Sequence, residues 1–198
     1  TAPVFSIDPR AFWHDPYPTL KAMREQASIA YVPELDATLM VKRDDIALNE
    51  KLIDVFSSVQ PGGLMTQLMG QNMMRKDGRD HRAERKAIFP AISPKTVKAV
   101  WRAAFEDMTD RVLDDLAPRK GADMTSDIAR RLAGEALCLV TGLTNMDWQT
   151  MDRVSQAMVD GCANYAGDPA IEAHCLTCVE TIDQHVAERL DAVRHSPD

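Results

Sequence analysis

Four cysteines in 198 residues are too few for a disulfide scaffold, and the expectation is a reducing compartment. No apolar run reaches the length of a membrane span, and no signal-peptide-like apolar stretch stands near the amino terminus. The formal net charge of −7 argues against nucleic-acid binding by bulk electrostatics. A glycine-rich phosphate loop, a nucleophile elbow and a paired metal motif are all missing, so the chain has no independent catalytic set. Together these absences predict a soluble, cytoplasmic protein that engages neither nucleic acid nor membrane. The rest is ordinary globular composition, 45% hydrophobic and 27% charged. The length suits one domain with a real core, and no repeat, low-complexity tract or linker divides residues 1–198.

The most informative stretch runs from Asn72 to Pro94. Asp77-Gly78 reads as a turn, with Asp77 placed to cap a short helix and Asp80 in its first turn, where a carboxylate suits the positive end of the helix dipole. Pro90 is expected to stop that helix, because proline cannot continue it. Ser93-Pro94 then reads as the cap and first position of the next one. His81 and Arg85 are four residues apart, so both leave the same helix face. Such a pair can grip a carboxylate or phosphate. A solvated basic face is the alternative. Arg75, Lys76, Arg79, Arg82, Arg85 and Lys86 make this segment basic within an acidic protein. Either Asp77, Asp80 and Glu84 offset it, or it docks an acidic partner, with charge setting the encounter rate.

Earlier in the chain, residues 1–16 are punctuated by proline and read as extended. Tyr17–Gln26 reads as a helix, and Ala30–Pro33 with Thr38–Val41 as a hairpin about residues 34–37. A short helix follows at Arg43–Asn49. Ser57–Met74 breaks periodicity. Its Pro61-Gly62-Gly63 signal and its apolar Leu64, Met65, Leu68, Met69 and Met73 describe either a loop tucked on the core or the mobile wall of a ligand pocket.

Downstream, Pro94–Leu116 carries a stripe of Val97, Trp101, Ala104, Met108, Val112 and Leu116. A helix over Ser126–Val140, nearly charge-free from Ala133, is expected to be the central buried one. A third begins near Asp147 with Met151, Val154, Met158 and Cys162 inward. A fourth uses Ile171, Cys175, Cys178 or Val179, Ile182, Val186, Leu190 and Val193. His174-Cys-Leu-Thr-Cys178 has the histidine on the wrong side for covalent haem attachment and lacks a second ligand pair for zinc. Its cysteines read as small core hydrophobes.

Met74-x-x-Asp77-Gly78-x-x-His81-x-x-x-Arg85, the run to Phe89-Pro90, and Ser93-Pro94 closely resemble the C-helix segment of bacterial cytochromes P450. Asp15-Pro-Tyr-Pro18, the helix with Met23-Arg-Glu25 and the hairpin also resemble that family's amino-terminal region. The resemblance implies a mainly α protein with the cytochrome P450 fold, here its amino-terminal half, helices A to G plus a small β hairpin. It assigns His81 and Arg85 to a haem propionate, and Leu64, Met65, Leu68, Met69 and Met73 to the substrate pocket. Arg75, Lys76, Arg79, Arg82 and Lys86 fall to the docking of a ferredoxin or a flavin/iron–sulfur reductase. The activity implied is a haem-thiolate monooxygenase that uses O2 on a small apolar organic substrate. The family's acid–threonine pair, Glu-x-x-Arg and Phe-x-x-Gly cysteine loop do not occur here. Cys138, Cys162, Cys175 and Cys178 lie outside any such loop. The thiolate ligand of a b-type haem is therefore expected in a carboxy-terminal part beyond this segment. A non-enzymatic helical binding or regulatory module built on the same fold is the alternative.

Overall fold

In the computed structural model, residues 2–195 are described. Contacts divide the chain into two compact units, Thr1–Ser58 and Val59–Asp198.

The first unit opens with α1 (Pro9–His14), whose N-cap Asp8 accepts the amides of Arg10 and Ala11 at 2.9 and 3.3 Å. The proline-rich lead-in is therefore not wholly extended. Asp8-Pro9 is a cap followed by a proline at the first helical position, where its missing N–H costs nothing. Helix α2 spans Tyr17–Gln26, as its spacing predicts. Strands β1 (Ile29–Val32) and β2 (Ala37–Met40) pair antiparallel, with Ile29 opposite Met40 and Val32 opposite Ala37. Each lies one residue before its expected place. The turn between them is a 3-10 turn over Pro33–Leu35 that ends at left-handed Asp36 (φ 45°), whose carboxylate accepts the Tyr31 hydroxyl at 2.8 Å. Met23, Ala30 and Val32 form the core of this unit, flanked by Phe5, Ile7, Leu35, Leu39 and Val41. Helix α3 is Arg43–Asn49.

The second unit is helical. Helix α4 (Leu64–Met69) stands between Gly63 and Gly70, which takes a positive φ of 72°, and a 3-10 turn follows at Met73–Arg75. The stretch expected to be an irregular loop thus contains a helix, too short to show a clear period in the sequence. Helix α5 runs Gly78–Ile92 with Pro90 inside it, so Pro90 does not end the helix. A proline this close to the C-terminus removes one late N–H, and the carbonyls beyond it find other donors. Thr96 Oγ1 donates to Pro90 O and Trp101 Nε1 to Ala91 O, both at 2.6 Å. The stop comes at Ser93, held extended before Pro94, with its hydroxyl accepting the Thr96 amide at 3.2 Å.

Short α6 (Pro94–Thr96) passes through a π turn at Val97–Trp101 into α7 (Arg102–Leu116), which buries Met108 and Val112 while Val97 stays exposed. A second π turn, Met124–Ala129, leads into α8 (Arg130–Thr141), ended by left-handed Gly142 (φ 77°). Helix α8 is not buried all round, as its charge-free run suggested. Gly134 and Cys138 are covered and Leu137 is exposed, because α8 packs along one side on α7 and α9.

Helix α9 (Trp148–Cys162) is capped by Asp147, which accepts the Thr150 amide at 2.7 Å. Its fully buried positions are Met151, Val154, Ala157 and Gly161, with Met158 and Cys162 half-buried. Small residues let α10 (Pro169–His195) approach closely: a Cβ on Gly161 would lie 2.6 Å from Cys175 Sγ. Between α9 and α10, Asn164 donates to Asp168 O and accepts the Asp168 amide, both at 2.9 Å. The core of this unit joins Cys138, Met146, Met151, Val154, Ala157 and Cys178, with Leu143 and Ile182 against it. Cys175 and Cys178 are fully buried, as small core hydrophobes. Helix α10 is described to His195, and residues 196–198 lie outside the described residues. No helix among the described residues is long and apolar enough to cross a membrane.

Candidate functional site

The site is built on α5. Asn72 Oδ1 accepts the Met74 amide at 3.0 Å and shapes the turn before it. Asp77 holds the N-cap position with extended backbone but without a side-chain capping hydrogen bond, and Gly78 takes φ 54°. Lys76 forms an ion pair with Glu84, two turns into the helix, fastening the approach segment to α5.

His81 is half-buried and Arg85 is exposed one turn on. Neither side chain has a hydrogen-bond or ion-pair partner among the described residues. The same face continues through Ile88 or Phe89 to Ile92, at i+7, i+8 and i+11 from His81. These three apolar side chains are 44%, 48% and 45% exposed. The helix therefore shows two N–H donors near its start and an apolar strip near its end. Ile88 and Phe89 were readable as helical spacing, but the expectation of a stop at Pro90 left out Ile92.

The remaining cations differ in their surroundings. Arg79, Arg82 and Lys86 are exposed, whereas Arg75 is half-buried with its Nε lacking a partner among the described residues. Lys76 is compensated by Glu84. The basic segment is thus three open cations and two that are drawn inward.

Of the apolar residues before α5, Leu64, Met65, Met69 and Met73 are half-buried and Leu68 is buried. Helix α4 rests on α9 and α10, and Leu68 Cδ1 lies 3.0 Å from where a Cβ of Gly161 would stand. Leu68 is the anchor of α4. Met65 and Met69, four apart, share a flanking face.

These elements define a class: the fold is that of the amino-terminal half of a bacterial cytochrome P450. The structure of cytochrome P450 CYP109Q5 from Chondromyces apiculatus superposes with a TM-score of 0.73 at 16% identity, over 98% of this chain and 48% of that one. Among curated proteins, the chain is similar to pulcherriminic acid synthase of Bacillus subtilis, 18% identical over 98% of this chain and 48% of that protein. It is also similar to cytochrome P450 130 of Mycobacterium tuberculosis, 23% identical over 78% of this chain and 41% of that protein. The chain therefore spans less than half the length of these curated relatives. No family model matches it.

Proposed function

We propose that this chain forms the amino-terminal half of a haem-thiolate monooxygenase that inserts one oxygen atom of O2 into a small, mostly apolar organic molecule. The observation that carries the reading is the α5 face, where His81 and Arg85, donors without a partner among the described residues, precede exposed Ile88, Phe89 and Ile92. A flat ligand with an acidic edge and an apolar body suits such a face. In this role His81 and Arg85 donate to a haem propionate, Arg85 through two parallel N–H bonds. The b-type haem, ligated by a thiolate from outside this segment, supplies the oxygen-activating chemistry when bound.

Leu64, Met65, Met69 and Met73 give the substrate side an adaptable apolar wall, and Leu68 fixes that wall to α9. Arg79, Arg82 and Lys86, with Arg75 and Lys76 behind them, orient an acidic electron donor, a ferredoxin or a flavin/iron–sulfur reductase. The test is the absorbance of the gene's whole product, reduced and carbon-monoxide-bound. A thiolate-type Soret band is expected. Its absence would overturn the reading in favour of a helical binding module.

A further inference from the structure

Three thiols lie on the facing stretches of α9 and α10, and they are not alike. Cys175 and Cys178 are fully buried, while Cys162, the last residue of α9, is half-buried. Cys175 lies directly against the α9 backbone beside Cys162, since a Cβ on Gly161 would come within 2.6 Å of its Sγ and 3.0 Å of its Cβ. Cys178 is engaged elsewhere: Arg153 Nη1 is 3.3 Å and His174 Nε2 3.9 Å from its sulfur, and it packs with Met151 and Val154.

From this juxtaposition of a reachable thiol and a sealed one across the Gly161 contact, the geometry points to a redox-closed corner, in which Cys162 and Cys175 join in a disulfide when the chain meets a disulfide oxidant such as oxidised glutathione. The Cys162 thiolate attacks one sulfur of the oxidant, forming a mixed disulfide and releasing one glutathione thiolate. The Cys175 thiolate then attacks the Cys162 sulfur, forming the internal S–S bond and releasing the second glutathione. Two protein thiols are oxidised, and one disulfide is reduced to two thiols. Burial pushes the Cys175 thiol up, and the nearby Cys162 and Cys178 thiols push it the same way. Burial keeps bulk oxidant away from Cys175, so the sulfur within its reach is that of the neighbouring Cys162. The bond would close a loop that already contains the Asn164–Asp168 clasp and left-handed Gly167 (φ 69°).

The test treats the whole chain with oxidised glutathione, blocks free thiols and cleaves at Glu172 and Glu180, which separates Cys162 from Cys175 and Cys178. Fragmentation of the cross-linked peptide should place the bond at Cys175. Cys178→Ala should keep the cross-link, and Cys175→Ala should leave Cys162 as a stable glutathione adduct. Amide exchange across residues 163–168 should slow by at least about tenfold on oxidation and recover on reduction. A bond to Cys178, or Cys162 left as the glutathione adduct in the unsubstituted chain, overturns the inference. Either result can be read even if a variant fails to fold.

Discussion

Gly134 on α8 faces Trp148 so closely that a Cβ built on it would sit 2.8 Å from the Trp148 carbonyl oxygen and 3.1 Å from the Trp148 Cβ. Backbone oxygen cannot step aside as a flexible side chain would. Gly134→Ala gains about 1 kcal/mol of helix propensity, but overpacking against backbone should cost about 2–3 kcal/mol, the upper part of the usual range. The expected net result is a chain destabilised by roughly 1–2 kcal/mol, read from the urea midpoint at constant m-value. A variant as stable as the parent would show that α8 and α9 can separate without penalty.

His81→Ala with Arg85→Ala should weaken haem retention in the complete protein. Loss of the Arg85 bonds alone should cost roughly 1.5–3 kcal/mol. The haem-loss rate to an acceptor apoprotein measures this directly. Equal rates in parent and double variant would remove both residues from the propionate role while leaving the fold untouched.

Within α4, two kinds of apolar residue should respond in opposite ways. Leu68 is buried against the Gly161 region, so Leu68→Ala should lower stability by about 2–4 kcal/mol. Met65→Ala and Met69→Ala should shift the affinity for apolar ligands while leaving haem content and thermal midpoint nearly unchanged. Paired ligand titration and thermal melts separate the two effects. Ligand affinity indifferent to both methionines would reduce α4 to a packing element.

Before α8, the carboxyl of Asp127 is held below the usual range, first by the Asp123 amide at 2.8 Å and then by Arg119 at 3.1 Å. That of Asp123 is lowered chiefly by the amide and hydroxyl of Ser126. A depressed folded-state pKa adds stability above the ordinary value of 3.8, and this is lost as pH falls through the folded value. Asp127→Asn should therefore be less stable than the parent near neutrality, and the gap should narrow on acidification below about pH 4. Denaturant midpoints from pH 7 to pH 3 test the sign; a gap that stays constant would deny the carboxylate its role.

Strong local grammar was legible in the sequence. Tyr17–Gln26, the hairpin and the Ser93-Pro94 start carry prolines, a cap or strand pattern, and Arg43–Asn49 carries Asp44 and Asp45 in its first turn, signals that act within a few residues. What escaped depends on distant partners. Pro90 stands in the last turn of α5, where the helix continues only to Ile92, and Thr96 and Trp101 reach back to that turn's free carbonyls. The one-sided burial of α8 depends on which elements lie beside it, information absent from its own period. Ala157 and Gly161, not Met158 and Cys162, are fully buried on α9, because close helix approach selects small size over hydrophobicity. In the site, the His81–Arg85 spacing was readable at once. The full length of the apolar strip beyond it was not, since the expected stop at Pro90 left out Ile92.

The mutual bonds of Asn164 and Asp168 bear on the order of folding. One side-chain amide takes both the donor and the acceptor of a backbone unit only four residues away. A loop that short closes with little entropy loss, so the corner can assemble before contacts of long sequence separation exist. Helices α9 and α10, meeting through that corner, then become the natural place for the transition state to be structured. Asn164→Ala should slow folding more than it speeds unfolding, giving a φ-value well above one half. A φ-value near zero would move the nucleus elsewhere.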